Sequence, residues 1–125
     1  TDPAALNLFA VSSSTPTATT TAFRIDNVGH MFASTTNPVL SGCGTGPTMV
    51  GSDHHGTVTT GATAGGCTIT FAVPYPSAPT CVVTPQTGSV ANTFSYTVSA
   101  TAITITETGL GGGIVDYICY GNALN

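Results

Sequence analysis

The stretch GTVTTGATAGGCTITFAVPYPSAPTCVVTPQTG, residues 56–88, decides the fold class. GTVTT alternates, GATAGG interrupts the pattern, CTITFAV restores it, PYPSAP turns the chain and CVVTPQT extends it again. Side chains of a strand point alternately to opposite faces, so period-two runs bounded by Gly and Pro clusters predict half-buried β-strands. Downstream, FSYTVSA (94–100), AITITET (102–108) and GIVDYICYG (113–121) repeat the texture and bring the count to six strands. Their spacing is that of a β-sandwich. No segment of ten or more residues carries an apolar stripe at helical period. The predicted class is all-β: a short β stem followed by a six-stranded, or slightly larger, antiparallel β-sandwich.

Working outward, residues 1–33 form the predicted stem and residues 34–125 the predicted sandwich domain. The stem holds two similar phrases, LNLFAVSSST (6–15) and TTAFRIDNVGHMFA (20–33), joined by a Ser/Thr tract around Pro16. The alternations of Phe9 with Val11 and of Phe23 with Ile25 predict strands, and Asn27 to Gly29 supply turn chemistry before extension resumes. A flexible Ser/Thr linker is the competing reading. A lone hairpin is marginal in water, so an ordered stem must pack on the following domain or on neighbouring copies of itself. Residues 34–56 carry five glycines and two prolines in 23 positions, which predicts an ordered loop rather than a long regular element. Val39, Leu40, Met49 and Val50 are expected to plug gaps in the core. Glycines within 109–113 predict a hairpin connection with positive φ, or else a distal recognition loop.

Charge is the unusual feature. One Arg, no Lys and five acids leave 5% charged residues, against about a quarter in an ordinary domain. Without a basic footprint, nucleic-acid binding is not expected. Charged residues normally blunt sheet edges, so their scarcity is tolerable if the edges are covered in an oligomer. No run of 18 apolar residues is present and no basic and apolar leader opens the sequence, so no membrane insertion is expected. Starting at Thr1 without Met, the chain reads as a fragment or a trimmed product.

Cys43, Cys67, Cys81 and Cys119 contain no CxxC pair, which points away from zinc and toward two disulfides in an oxidising setting; four buried thiols are the alternative. Three pairings are possible. Antiparallel placement of the strand bearing Cys81 against the last strand favours Cys81 with Cys119, leaving Cys43 with Cys67. The weak metal candidates are His30, His54 and His55. Adjacent His54 and His55 in an extended segment point to opposite faces, so a metal or pH-sensing ring would need one His from each subunit about a threefold axis. Ordinary loop histidines are the plainer reading, and no metal or cofactor is expected. The acids Asp2, Asp26, Asp53, Glu107 and Asp116 are scattered, whereas glycosidase chemistry needs two across a cleft. Asp53 beside His54 suggests a triad, but there is no nucleophile elbow, so no enzymatic activity and no catalytic residue is expected. Asp26 reads as a turn former, Asp116 as solvent-facing or loop-capping, and Arg24 as facing opposite to Phe23 and Ile25. Of Tyr75, Tyr96, Tyr117 and Tyr120, at most one is expected at a ligand site, the others being core edges.

The phrase STPTATTTAFRIDNVGHMF (14–32) resembles the strand, Asx-Gly turn and strand repeats in shafts and necks of trimeric bacteriophage fibres. CGTGPTMVGSDHHGTVTTG (43–61), GCTITFAVPYPSAPTCVVTPQTG (66–88) and DYICYG (116–121) resemble a C-terminal domain of phage fibre and spike-like proteins and prophage genes. The order of strands and aromatic-Pro corner is also similar to the sandwich of H-type lectins, trimers that bind sugars at subunit borders. These resemblances imply a homotrimer on the virion surface, extracellular after release, with other capsid or tail proteins as partners. The implied function is non-catalytic: a head fibre, decoration or tail-fibre component. The alternative is a receptor-binding adhesin tip that recognises a host cell-surface glycan.

Overall fold

A computed structural model of the chain describes residues 7–15, 18–33, 36–87, 94–107, 109 and 111–122; Asp2, Pro16, Gly88, Thr108 and Leu110 lie outside the described residues. The chain divides into two compact units, Thr1–Thr35 and Thr36–Asn125. Eleven strands and no helix occur among the described residues, arranged in three antiparallel sheets, so the class is all-β.

The first unit is one sheet of β1 (Asn7–Thr15), β2 (Ala18–Asp26) and β3 (Met31–Ala33), in that order. Cross-strand partners share a face, and the register aligns Val11 with Phe23 and Ala33, and Phe9 with Ile25 and Met31. One face is therefore wholly apolar along these two rows. The Phe9 and Phe23 rings meet edge to face on it, 6.3 Å apart. On the opposite face, Arg24 lies between Ala10 and Phe32, and its guanidinium stacks 3.7 Å from the Phe32 ring centroid. The β2–β3 turn is built by Asp26, whose Oδ1 accepts from the backbone N–H of Val28 and His30 at 3.0 and 2.9 Å.

In the second unit, the first sheet runs β4 (Val39–Ser41), β7 (Gly66–Thr70), β10 (Ala102–Thr106), β9 (Ser95–Val98). The second runs β5 (Thr48–Gly51), β6 (His55–Thr59), β11 (Ile114–Tyr120), β8 (Thr80–Thr87). Leu40, Ile69, Ile103 and Val98 form one cross-strand row; Met49, Val58 and Val115 form another. These rows belong to a single core that joins both sheets, with Phe71, Ile105, Tyr117 and Val83 alongside. The arrangement fits a β-sandwich. Alternate positions point away from this core and carry hydroxyls, as in the row Ser41, Thr68, Thr104 and Thr97. Pro85 sits in β8, an edge strand, where its missing N–H costs no pairing.

Two disulfides staple this unit. Cys43, in the β4–β5 connection, is bonded to Cys67 of β7, and Cys81 is bonded to Cys119, its direct cross-strand partner on β11. Constraint of the unfolded chain by loops of these lengths, 24 and 38 residues, is worth about 3–4 kcal/mol each.

Three local expectations are corrected. The 34–56 segment contains β4 and β5, strands of three and four residues that end at glycines. Within them only Leu40 and Met49 pack on the core; Val39 and Val50 are 64% and 76% exposed, because their neighbours occupy the inward parity. The glycine-rich segment after Thr106 is not a hairpin. It leads from β10 in one sheet to β11 in the other, with Gly112 at φ 74° and Gly112 N–H donating to Gly61. Finally, CTITFAV stops being a strand at Thr70, for a reason that lies in the SDHH segment.

Candidate functional site

Ser52, Asp53, His54 and His55 are the densest polar run of the second unit, and they occupy the tight β5–β6 turn, closed by Ser52 N–H to His55 O at 2.8 Å. Ser52 is buried, and its carbonyl accepts from the Tyr117 hydroxyl. The Tyr117 ring reaches there by lying across Gly56. A Cβ at Gly56 would stand 2.8 Å from the Tyr117 hydroxyl and 2.9 Å from its ring. Asp53 extends to the β7–β8 connection, where its two carboxylate oxygens accept from Ala72 and Val73 N–H at 2.7 and 2.8 Å. Those amides are thereby diverted from any ladder, so strand pairing does not continue past Phe71, whose N–H still donates to Thr101 O at 2.9 Å. The Asp53 carbonyl also accepts from the Tyr75 hydroxyl at 3.0 Å, and Tyr75 packs edge to face on Phe71.

His54 faces the end of β11. Its carbonyl accepts from Cys119 N–H and its Nδ1 lies 2.6 Å from Cys119 O. A carbonyl only accepts, so Nδ1 carries the hydrogen. The nitrogen that a triad acid would orient is thus spent on backbone, and the Asp53 carboxylate is spent on two amides. The pair is a structural clamp. His54 and His55 do not diverge as an extended segment would require: His54 belongs to the turn, and the two rings meet edge to face at 5.6 Å, with Tyr120 packed on His54 at 5.1 Å. His30 sits in the β2–β3 turn of the first unit, its Nδ1 3.0 Å from Asp26 Oδ2. Among the described residues, no three His, Cys, Asp or Glu side chains are grouped to hold a metal.

Local electrostatics follow burial. Burial raises the Tyr117 phenol well above 10.0, with the charge of Asp53 and then Tyr75 adding to the effect. Tyr75 is raised by burial and then by Asp53. For Asp26 burial acts upward, but the His30 and Val28 amides and the His30 ring outweigh it and hold the carboxyl below 3.8. Tyr96 OH donates to Cys81 O, so β9 of one sheet is tied to β8 of the other. Three of the four tyrosines thus serve the framework, and Tyr120 is 57% exposed. Glu107 is the outlier: it is 1% exposed, and neither carboxylate oxygen has a hydrogen-bond partner among the described residues.

One recess has the composition of a binding site. It lies on the second sheet, holds about 300 Å³, and is lined by Val50, Gly51, His55, Gly56, Thr57, Asp116 and Tyr117. Asp116 is half-buried rather than simply solvent-facing. Its Oδ1 accepts from Thr57 Oγ1 at 2.7 Å, and its Oδ2 from the Gln86 side-chain amide. Sequence reading did not assemble this group, since its members come from three strands and meet only through the β5–β6–β11 register.

No protein-family model matches the chain, nor does any curated protein or solved structure.

Proposed function

We propose that this chain is a non-catalytic structural component of a bacteriophage virion, exposed on the particle surface as a head fibre, decoration or tail-fibre part. In this reading the first unit is a stem that joins three copies and the second is a β-sandwich displayed outward. The observation that carries it is the apolar face of the first unit. Phe9, Val11 and Met31 are 54%, 51% and 68% exposed on a sheet of three strands. A sheet this small needs a second layer to bury its apolar side. Residues 1–35 carry only Asp2, Arg24 and Asp26 as charged residues, so copies of this unit bring little like charge together. Two disulfides suit a domain that works outside the reducing cytosol. Resemblance of residues 14–32, 43–61, 66–88 and 116–121 to phage fibre segments supplies the particle. Antibodies raised against the chain are expected to label intact phage particles in electron micrographs; label confined to free protein contradicts the reading.

The second reading, an adhesin that recognises a host-surface glycan, is favoured by the recess around Asp116. Both readings place the second unit outermost, and they differ in whether its sheet surface engages a ligand.

A further inference from the structure

We infer that the outward face of the β5–β6–β11–β8 sheet is a saccharide site, selective for neutral sugars, with Asp116 as its central hydroxyl acceptor; this rests on the adhesive reading. The register builds the face in rows. Val50, Thr57, Asp116 and Thr84 are successive cross-strand neighbours, followed by His55, Ile118 and Val82, then Tyr120 and Thr80. All point away from the core, since the alternate residues Val58, Val115, Tyr117, Cys119 and Val83 are the buried ones.

The recess lies between outward-facing Val50 and Thr57 on one side and His55 on the other, over the backbone of the paired Gly51 and Gly56. Its volume of about 300 Å³ is at the small end of ligand pockets, which run from about 300 to 1,000 Å³, and suits one sugar ring. The chemistry of its wall is that of hydroxyl recognition. A carboxylate has about four acceptor positions, and the bonds from Thr57 and Gln86 leave each Asp116 oxygen a further lone pair. Vicinal hydroxyls can donate to both oxygens at once. Thr57, having donated its hydrogen to Asp116, is left as an acceptor. Val50, 76% exposed at the rim, offers an aliphatic surface for the C–H face of the ring, and the His55 imidazole stands opposite.

Charge sets the class of ligand. Residues 36–125 contain no Lys or Arg, so a sialylated, sulfated or phosphorylated glycan would meet Asp116 with no permanent cation to balance its own charge. A neutral hexose or N-acetylhexosamine meets no such penalty.

The test is an NMR titration of the intact, isotope-labelled chain with galactose, glucose, mannose, N-acetylglucosamine and N-acetylgalactosamine, beside sialyllactose. Saturable shifts are expected for at least one neutral sugar at the amides of Val50, His55, Thr57 and Asp116. Asp116→Asn should weaken that binding about tenfold, the loss expected for one charge-assisted hydrogen bond. Val50→Arg should block it as well, and at so exposed a rim position this substitution leaves the core untouched. Absence of saturable shifts with every neutral sugar at about 50 mM, far above a millimolar Kd, and with sialyllactose as well, overturns the site and with it the adhesive reading, while assembly through the first unit stands. Shifts that map to other residues, or binding of sialyllactose alone, overturn the site and leave an adhesin of another design.

Discussion

Asp53 illustrates how a residue that looks catalytic in sequence does structural work. Its two oxygens hold Ala72 and Val73, its carbonyl holds Tyr75, and between them they tie the β5–β6 turn to the β7–β8 connection. Asp53→Ala leaves two amides unpaired and should cost about 2–3 kcal/mol in a denaturant melt. A loss below about 0.5 kcal/mol, the range of an ordinary surface change, would mean that the clamp is incidental. Tyr117 and Tyr75 predict an alkaline limit. Both phenols are raised in the folded state, so above about pH 10, the ordinary tyrosine value, the unfolded chain has lost protons that the folded chain retains. Stability therefore falls as pH rises through that value. Melting temperature followed from pH 8 to 11 checks this, and Tyr117→Phe should flatten the decline. Glu107 points the other way. A buried carboxylate without a partner opposes folding, so Glu107→Leu is expected to raise stability by about 1–3 kcal/mol.

At the scale of elements, the all-β class is legible in sequence because period-two alternation is a local signal. Val58, Ile69, Ile103, Ile105 and Val115 stand on inward positions that the pattern marks, and all are buried. Glu107 continues the parity of Ile103 and Ile105, so its burial was readable there too. What was not legible has a physical cause. β4 and β5 are too short to show a period, and the loop-like glycines around them hide their pairing with β7 and β6. The connection after β10 reads as a hairpin because local sequence does not say which sheet the next strand joins. The Asp116 recess depends on non-local register in the same way, and no single run of residues marks it. The second disulfide lies within this register, directly across β8 and β11. Replacing Cys81 and Cys119 together by Ala should cost about 2–5 kcal/mol. A double variant that melts within a degree or two of the parent would show that the β8–β11 ladder holds unaided.

For the whole molecule, the central matter is how a chain with so few charges avoids indiscriminate aggregation. The second unit answers with a closed core, two disulfides and a hydroxyl row on the outward face of its β4–β7–β10–β9 sheet. Among the described residues of the first unit, Phe9, Val11 and Met31 of its apolar rows stay exposed, and β1 is an edge strand with neither a charged residue nor a proline from Asn7 to Thr15. Such an edge invites pairing with another chain. Under the fibre reading, that surface is where copies meet. The most direct measurement is the mass of the intact chain by light scattering, beside the double variant Phe9→Asp with Val11→Asp. The account predicts a particle of three chains of 12.4 kDa that falls to one chain in the variant, with unchanged disulfides. An intact chain that stays monomeric, or a variant that assembles as the parent does, would contradict it.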